Sequence, residues 1–161
     1  MRKPLALLAL LAIATPALAK ESLGVFGNWG AFRDPDAARC YAIAKALPSR
    51  LARDYEPYAA VGTWPRRSIR GQVHFRLSRA IRGERAISLN VGGERFALTG
   101  GGGDAWARDK AMDAAIVAAM RSASRMTVGA TDKRGARFSN TYDLSGAATA
   151  MDAATVACAR R

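Results

Sequence analysis

The stretch QVHFRLS, residues 72–78, alternates polar and apolar side chains without exception. Because side chains point to opposite faces along a β-strand, Val73, Phe75 and Leu77 would share one face and the polar residues the other. No helical period fits this pattern. The stretch therefore predicts a strand with one buried and one exposed face.

Further short strands are predicted on both sides of this one. Glycine, proline and aspartate mark the turns between them. The predicted strands cover residues 24–32, 39–44, 58–64, 87–91, 95–99, 126–131 and 136–144. Short turns join the strands at 72–78, 87–91 and 95–99, so we expect these three to form an antiparallel meander.

Two helices complete the pattern, one near 109–122 and one near 146–158. Asp109 is a suitable N-cap for the first and Ser145 for the second. Apolar residues recur at helical spacing in the first helix, at Met112, Ala115, Ile116, Ala119 and Met120. In the second helix, one face would carry Ala148, Met151, Thr155 and Cys158. The order of strands, helix, hairpin and helix predicts a mainly β fold, either an antiparallel β-sandwich or a curled sheet.

The N-terminal residues have the pattern of a secretory signal peptide. A basic start is followed by about ten apolar residues and an Ala-x-Ala site, which predicts a signal peptide at 1–19 with cleavage between Ala19 and Lys20. Residues 20–161 would then form one domain. The alternative is an uncleaved anchor, but the apolar stretch falls short of the roughly 20 residues that a membrane span needs. No later stretch predicts a transmembrane span, so we expect an exported protein, periplasmic or on the outer surface of a Gram-negative bacterium.

The chain has two cysteines, Cys40 and Cys158. Paired cysteines are usual in exported proteins, so we expect a disulfide between them. Two buried free thiols are the alternative.

Sequence motifs for catalysis, metal binding or cofactor binding are weak. His74 is the single histidine, and two cysteines with one histidine cannot form a four-ligand zinc site. The glycine run Gly100–Gly103 with Ala105 matches G-x-G-x-x-A, but no βαβ unit surrounds it and no acid follows at the expected distance. We expect a flexible connection into the first helix there. No catalytic residue, metal ligand or cofactor is predicted.

Positive charge is concentrated in one segment. The chain carries 25 Lys and Arg against 13 Asp and Glu, a formal net charge of +12, and residues 66–85 contain seven arginines with a single acid. Arginine's planar fork suits phosphate and carboxylate groups. The candidate anion-binding residues are Arg66, Arg67, Arg70, His74, Arg76 and Arg79. The alternative is a solvated charged face that binds nothing.

Three motifs spread along the chain resemble one family. Phe26-Gly27-Asn28-Trp29, followed by Cys40, opens the domain; a helix at 112–120 leads into the strand from Met126; and residues 142–147 lead from a strand into a helix. Together they resemble the invasion-associated locus B family of exported bacterial proteins. The family's C-x-x-x-G-C loop before the helix is replaced here by the glycine run, without cysteines.

The resemblance implies an all-β envelope protein, with an association with host-cell invasion or with envelope integrity. The family supplies no catalytic residues to carry over. We therefore expect a non-enzymatic protein whose partner is an anionic envelope component, lipopolysaccharide or anionic lipid, or else an envelope protein. Nucleic acid is excluded as a partner, because basic charge alone is not sufficient and the compartment is wrong. One alternative is a periplasmic adaptor that uses apolar surface near Trp64 or Trp106, and a second is an envelope hydrolase.

Overall fold

The computed structural model describes residues 19–83 and 86–159. These ranges contain nine strands and two α-helices, joined by turns and loops. The strands are β1 (Glu21–Phe26), β2 (Trp29–Asp34), β3 (Arg39–Lys45), β4 (Tyr58–Trp64), β5 (Ile69–Ile81), β6 (Ile87–Val91), β7 (Glu94–Trp106), β8 (Arg125–Thr131) and β9 (Arg137–Asp143). The helices are α1 (Lys110–Ser122) and α2 (Ala147–Ala159). The predicted mainly β fold with two helices is confirmed.

All neighbouring strands are antiparallel, in the order β1-β2-β3-β4-β5-β7-β6-β8-β9. The predicted meander of β5, β6 and β7 is therefore wrong. β7 lies between the other two, and β6 pairs on its far side with β8. The buried face predicted for residues 72–78 is confirmed, since Val73, Phe75 and Leu77 of β5 are all fully buried. The predicted exposed face is wrong, because Ser78 is buried and the other three polar residues are half-buried.

The glycine run lies inside β7. The predicted flexible connection into α1 at these residues is therefore wrong. The first part of β7 pairs with β6, up to Leu98 opposite Ile87, and the last part pairs with β5, with Ala105 opposite Phe75. Between them the strand bends so sharply that a Cβ on Gly100 would overlap the backbone carbonyl of Asp104. A Cβ on Gly103 would likewise overlap the Tyr55 ring, whereas Gly101 and Gly102 have open space around them. Glycine at 100 and 103 thus permits the bend by which one strand joins two sets of partners.

Helix α1 begins as predicted, with the Asp109 side chain accepting a hydrogen bond from Met112 N–H at 2.8 Å. Ile116 and Met120 of the expected stripe are buried, but Ala115 is exposed. Asp113 is buried in its place on the sheet side, where its carboxylate accepts the backbone N–H of Val73 at 2.8 Å. This bond anchors α1 on β5.

Helix α2 packs its small side chains on the sheet. Its buried residues are Ala147, Ala150, Met151, Ala154 and Cys158. Thr155, predicted on this face, is exposed, and its hydroxyl donates to the Met151 carbonyl at 2.8 Å. The small residues allow the helix to lie close to β1, β2 and β3.

The predicted disulfide is confirmed. Cys40 on β3 and Cys158 in the last turn of α2 are bonded, with their Cα atoms 5.8 Å apart. Because 118 positions separate them, the bridge joins the two ends of the domain covalently.

Two of the motifs that carry the family resemblance contact each other. Trp29 is fully buried, and its indole N–H donates to the Asp143 carbonyl at 2.9 Å. Asn28 N–H donates to the Ser145 carbonyl at 3.2 Å. Gly146 adopts φ +84°, and a Cβ there would overlap the backbone carbonyl of Phe26. The opening turn of the domain and the start of α2 are thus fitted together backbone to backbone.

The predicted signal peptide lies almost wholly outside the described residues. Ala19 and Lys20, on either side of the predicted cleavage point, are exposed and have no regular structure. Within the described ranges, no helix combines the length and apolar character that crossing a bilayer requires.

Candidate anion-binding site

The arginine-rich segment begins with a tight turn. Pro65–Arg67 form a single 3-10 turn after β4, and Ser68 closes it in the left-handed conformation, φ 54°. The Ser68 N–H donates to the Pro65 carbonyl at 3.2 Å. Positive φ is uncommon outside glycine, and here it reverses the chain into β5. Residues 65–71 are called the arginine turn below.

The arginine turn presents three guanidinium groups that have no acidic partner among residues 19–83 and 86–159. Arg66, Arg67 and Arg70 are exposed. Among the ion pairs of the described residues, none includes any of the three. Like charges this close in sequence repel one another, so an anion placed among them is favoured.

A first cavity of about 370 Å³ opens on one side of the turn, above the disulfide. Arg33, Arg39 and Arg66 line it together with both cysteines. The Nε atoms of Arg33 and Arg39 are buried without a hydrogen-bond partner, although Arg39 Nε lies 3.6 Å from the Asp34 carboxylate. Arg33 also pairs with Glu21 at 3.4 Å, so within the described residues Arg66 is the guanidinium group of this cavity without an ion pair. The cavity therefore suits a small oxyanion mainly through Arg66.

A second cavity of about 590 Å³ opens on the other side of the turn, against both helices. Arg70 and Lys110 supply positive charge to its wall. Ala114 and Val117 of α1 and Cys158 of α2 line it with apolar surface. The arginine turn therefore separates two concave sites, and both include cations.

His74 and Arg76 lie on one face of β5, as predicted, but an aspartate holds both of them. Asp104 on β7 contacts His74 Nε2 through Oδ1 at 2.9 Å and accepts a hydrogen bond from Arg76 through Oδ2. The Arg76 guanidinium also stacks over the Tyr55 ring at 3.8 Å, and the His74 ring stacks on Trp106 with centroids 5.1 Å apart. The charge of Arg76 is thus compensated within the fold.

Arg79 is held in the same way on another part of the molecule. Its guanidinium contacts the Asp132 carboxylate at 2.9 Å and the Ala52 carbonyl at 2.8 Å. The Ala136 N–H and the Arg79 guanidinium both donate to Asp132 and hold the pKa of that carboxyl below its ordinary value. Arg79 therefore ties the loop before β4 to the β8–β9 turn.

The six candidate residues thus fall into two groups. Arg66, Arg67 and Arg70 are exposed and unpaired within the described residues, whereas His74, Arg76 and Arg79 are each bonded to an aspartate. Anion binding by any of them stays a prediction.

Aromatic surface is limited near these groups. Trp106 is 37% exposed, with one ring face against His74. Trp64 is only partly exposed and lies near the Arg39 guanidinium, 5.9 Å from its ring centroid. Within residues 19–83 and 86–159, no group of three His, Cys, Asp or Glu side chains is arranged to hold a metal ion.

Sequence reasoning did not identify Arg33, Arg39 and Lys110 as neighbours of the arginine turn. A signal for Arg39 was present, because it precedes Cys40 and the predicted disulfide brings that position to the end of the chain. The position of Arg33 depends on the pairing of β2 with β3, which places Arg33 opposite Cys40 and next to Arg39. Nothing local marks Lys110, which depends on how α1 is placed against the sheet.

Comparisons with protein-family models, with curated proteins and with solved structures found no match. The resemblance to the invasion-associated locus B family therefore stays a prediction from the motifs.

Proposed function

We propose that this protein is an exported, non-enzymatic domain of the bacterial envelope that binds an anionic envelope component through the arginine turn. The component is the phosphate of lipopolysaccharide or the headgroup of an anionic lipid. The observation that carries the proposal is the presence of three adjacent exposed arginines without an acidic partner in the described residues.

The chemistry of the turn suits phosphate better than a diffuse positive field would. Guanidinium groups give paired donors in a fixed plane, which match two oxygens of one phosphate. Arg33 and Arg39 line the first cavity beside Arg66, and each also pairs with an acid, Glu21 and Asp34 respectively. A headgroup on the turn would therefore gain directed hydrogen bonds as well as charge attraction.

The arginines held by aspartate have another role in this account. Arg76 and Arg79 connect β5 to β7 and to the β8–β9 turn, so they support the fold rather than contact the ligand. Export is supported by the disulfide, because disulfides persist in oxidising compartments. The predicted signal peptide and the family motifs favour the same location.

The test is binding to purified lipopolysaccharide and to anionic and neutral vesicles over a salt series. The variant changes Arg66, Arg67 and Arg70 to Ser. The matched control changes Arg125 of β8, Arg134 of the β8–β9 turn and Arg137 of β9 to Ser. All three are exposed and lie outside both cavities, and this variant loses the same charge.

A basic residue near an anionic surface contributes about 1 kcal/mol, so the turn variant should bind about 100-fold more weakly. The control should lose much less, and salt should weaken the binding of the wild-type protein. Equal losses in the two variants would mean that only net charge matters, and the proposal would be wrong.

An adaptor for another envelope protein is the second candidate, and the exposed Trp106 favours it. In that case Trp106→Ala should abolish capture of the partner, while the turn variant should retain it. Salt-insensitive binding would accompany that outcome, because apolar contacts are not screened.

A further inference from the structure

The second cavity is amphipathic, since both cations and apolar side chains line it. Lys110 and Arg70 place positive charge at the arginine turn and the start of α1. The rest of the lining is mainly apolar, from Ala114 and Val117 of α1 to Cys158 and Ala159 of α2, with the hydroxyl residues Thr63 and Thr155 among them. Cavities that hold small molecules usually measure about 300–1,000 Å³ with a mainly apolar lining and a few polar groups. A volume of about 590 Å³ is within that range.

Each simple ligand satisfies only half of this site. Inorganic phosphate would meet the cations but leave the apolar lining in water. A neutral alkyl chain would cover the apolar lining but leave Arg70 and Lys110 without a counter-charge. A molecule with an anionic head and one acyl chain satisfies both kinds of surface, with its head against the arginine turn and its chain between the helices.

We infer that the second cavity holds the acyl chain of an anionic single-chain lipid whose head is bound by the arginine turn. The inference rests on the proposed function and adds to it a lipid chain as part of what is recognised. Charge selects the ligand, and withdrawal of the chain from water supplies affinity that vesicle headgroups alone do not. Arg66 of the same turn lines the first cavity, which shares Pro65 and Cys158 with the second, so it is a further cation close to the site.

The probes are monoalkyl phosphates of six, eight and ten carbons, used below their critical micelle concentrations and measured by calorimetry. Inorganic phosphate is the probe without a chain, and decanoate replaces the phosphate head by a carboxylate. Decyltrimethylammonium has a chain of the same length with the opposite charge. Each methylene withdrawn from water should strengthen binding about fourfold, so two carbons should give about 15-fold.

Two alanines of α1 provide a matched pair of variants. Ala114 and Ala115 are both exposed, but only Ala114 lines the cavity. Ala114→Trp should fill the space and remove the dependence on chain length, while Ala115→Trp should leave it intact. Both variants should still bind anionic vesicles, because neither alters the arginine turn. Circular dichroism of the two variants checks that α1 is unchanged.

The outcomes separate this inference from the proposed function. Vesicle binding through the turn, with equal affinity for phosphate and decyl phosphate, would overturn the chain site alone. Equal binding of decyltrimethylammonium and decyl phosphate would also overturn it, since the cations would then play no part. Chain-length dependence lost in Ala114→Trp and kept in Ala115→Trp supports it. Tighter binding of decanoate than of decyl phosphate would identify a fatty acid, rather than a single-chain lysophospholipid, as the source.

Discussion

Replacing both Cys40 and Cys158 by alanine removes the covalent link between β3 and the end of α2. The two cysteines are 118 positions apart, so the bridge restricts most of the unfolded chain. The chain-entropy relation gives about 5 kcal/mol at 25 °C for a closed loop of that length. For a domain of this size, 1 kcal/mol corresponds to roughly 2–4 °C in Tm, so we expect Tm to fall by about 10–20 °C.

The assay is urea denaturation followed by circular dichroism, with the double variant beside the oxidised and the reduced wild type. Reduced wild type separates loss of the link from loss of the two buried sulfur atoms. The midpoint should fall strongly in both, and the m-value should rise, because an unlinked unfolded chain exposes more surface. A loss below about 1 kcal/mol in the double variant, set against the 5 kcal/mol of the chain-entropy relation, would refute the reasoning.

Three further substitutions test the packing and the charges of the fold. Burial raises the pKa of Asp113, so folding favours its protonated form relative to the unfolded chain, and the free energy of unfolding should fall as pH rises above the ordinary pKa of aspartate. Asp113→Asn keeps an acceptor for Val73 N–H and should flatten that part of the stability–pH curve. Denaturation at several pH values would show this. Gly146→Ala should destabilise the domain by at least about 2 kcal/mol, because its Cβ would overlap the Phe26 carbonyl. Gly135 has a similar φ with open space around it, so Gly135→Ala should lower the free energy of unfolding by less in the same denaturation experiment. Hydrogen bonds hold the pKa of Asp132 below its ordinary value, so the carboxylate stabilises the fold above its unfolded-state pKa, and this stabilisation is lost as pH falls through its folded-state pKa. Asp132→Asn should therefore reduce the acid sensitivity of Tm in thermal melts. Unchanged acid sensitivity would contradict this.

Local features of the fold were predictable from the sequence, and long-range pairings were not. The alternation at Val73, Phe75 and Leu77 and the cap at Asp109 depend on neighbouring residues, and the structure has both. The disulfide was predictable because the predicted signal peptide and the two cysteines together favour one pairing.

The position of β7 between β5 and β6 was not predictable from turn lengths, since it depends on a bend at glycines that local rules assign to a loop.

The charged residues also divide into those that were predictable locally and those that depend on long-range pairing. Arg66, Arg67 and Arg70 were identified from the run of basic residues, and they are exposed as a solvated or binding surface requires. The pairing of His74 and Arg76 with Asp104 links residues about 30 positions apart on strands whose partnership was not foreseen.

The most direct test of the central claim is to map the residues that an anionic lipid contacts. Backbone amide spectra of the labelled protein would be recorded by NMR during titration with anionic bicelles, and with neutral bicelles as the reference. Binding through the arginine turn predicts shifts concentrated at residues 65–71 and around Lys110, absent with neutral bicelles and reduced by salt. Shifts centred on Trp106 or on residues 132–137, with the arginine turn unchanged, would contradict it.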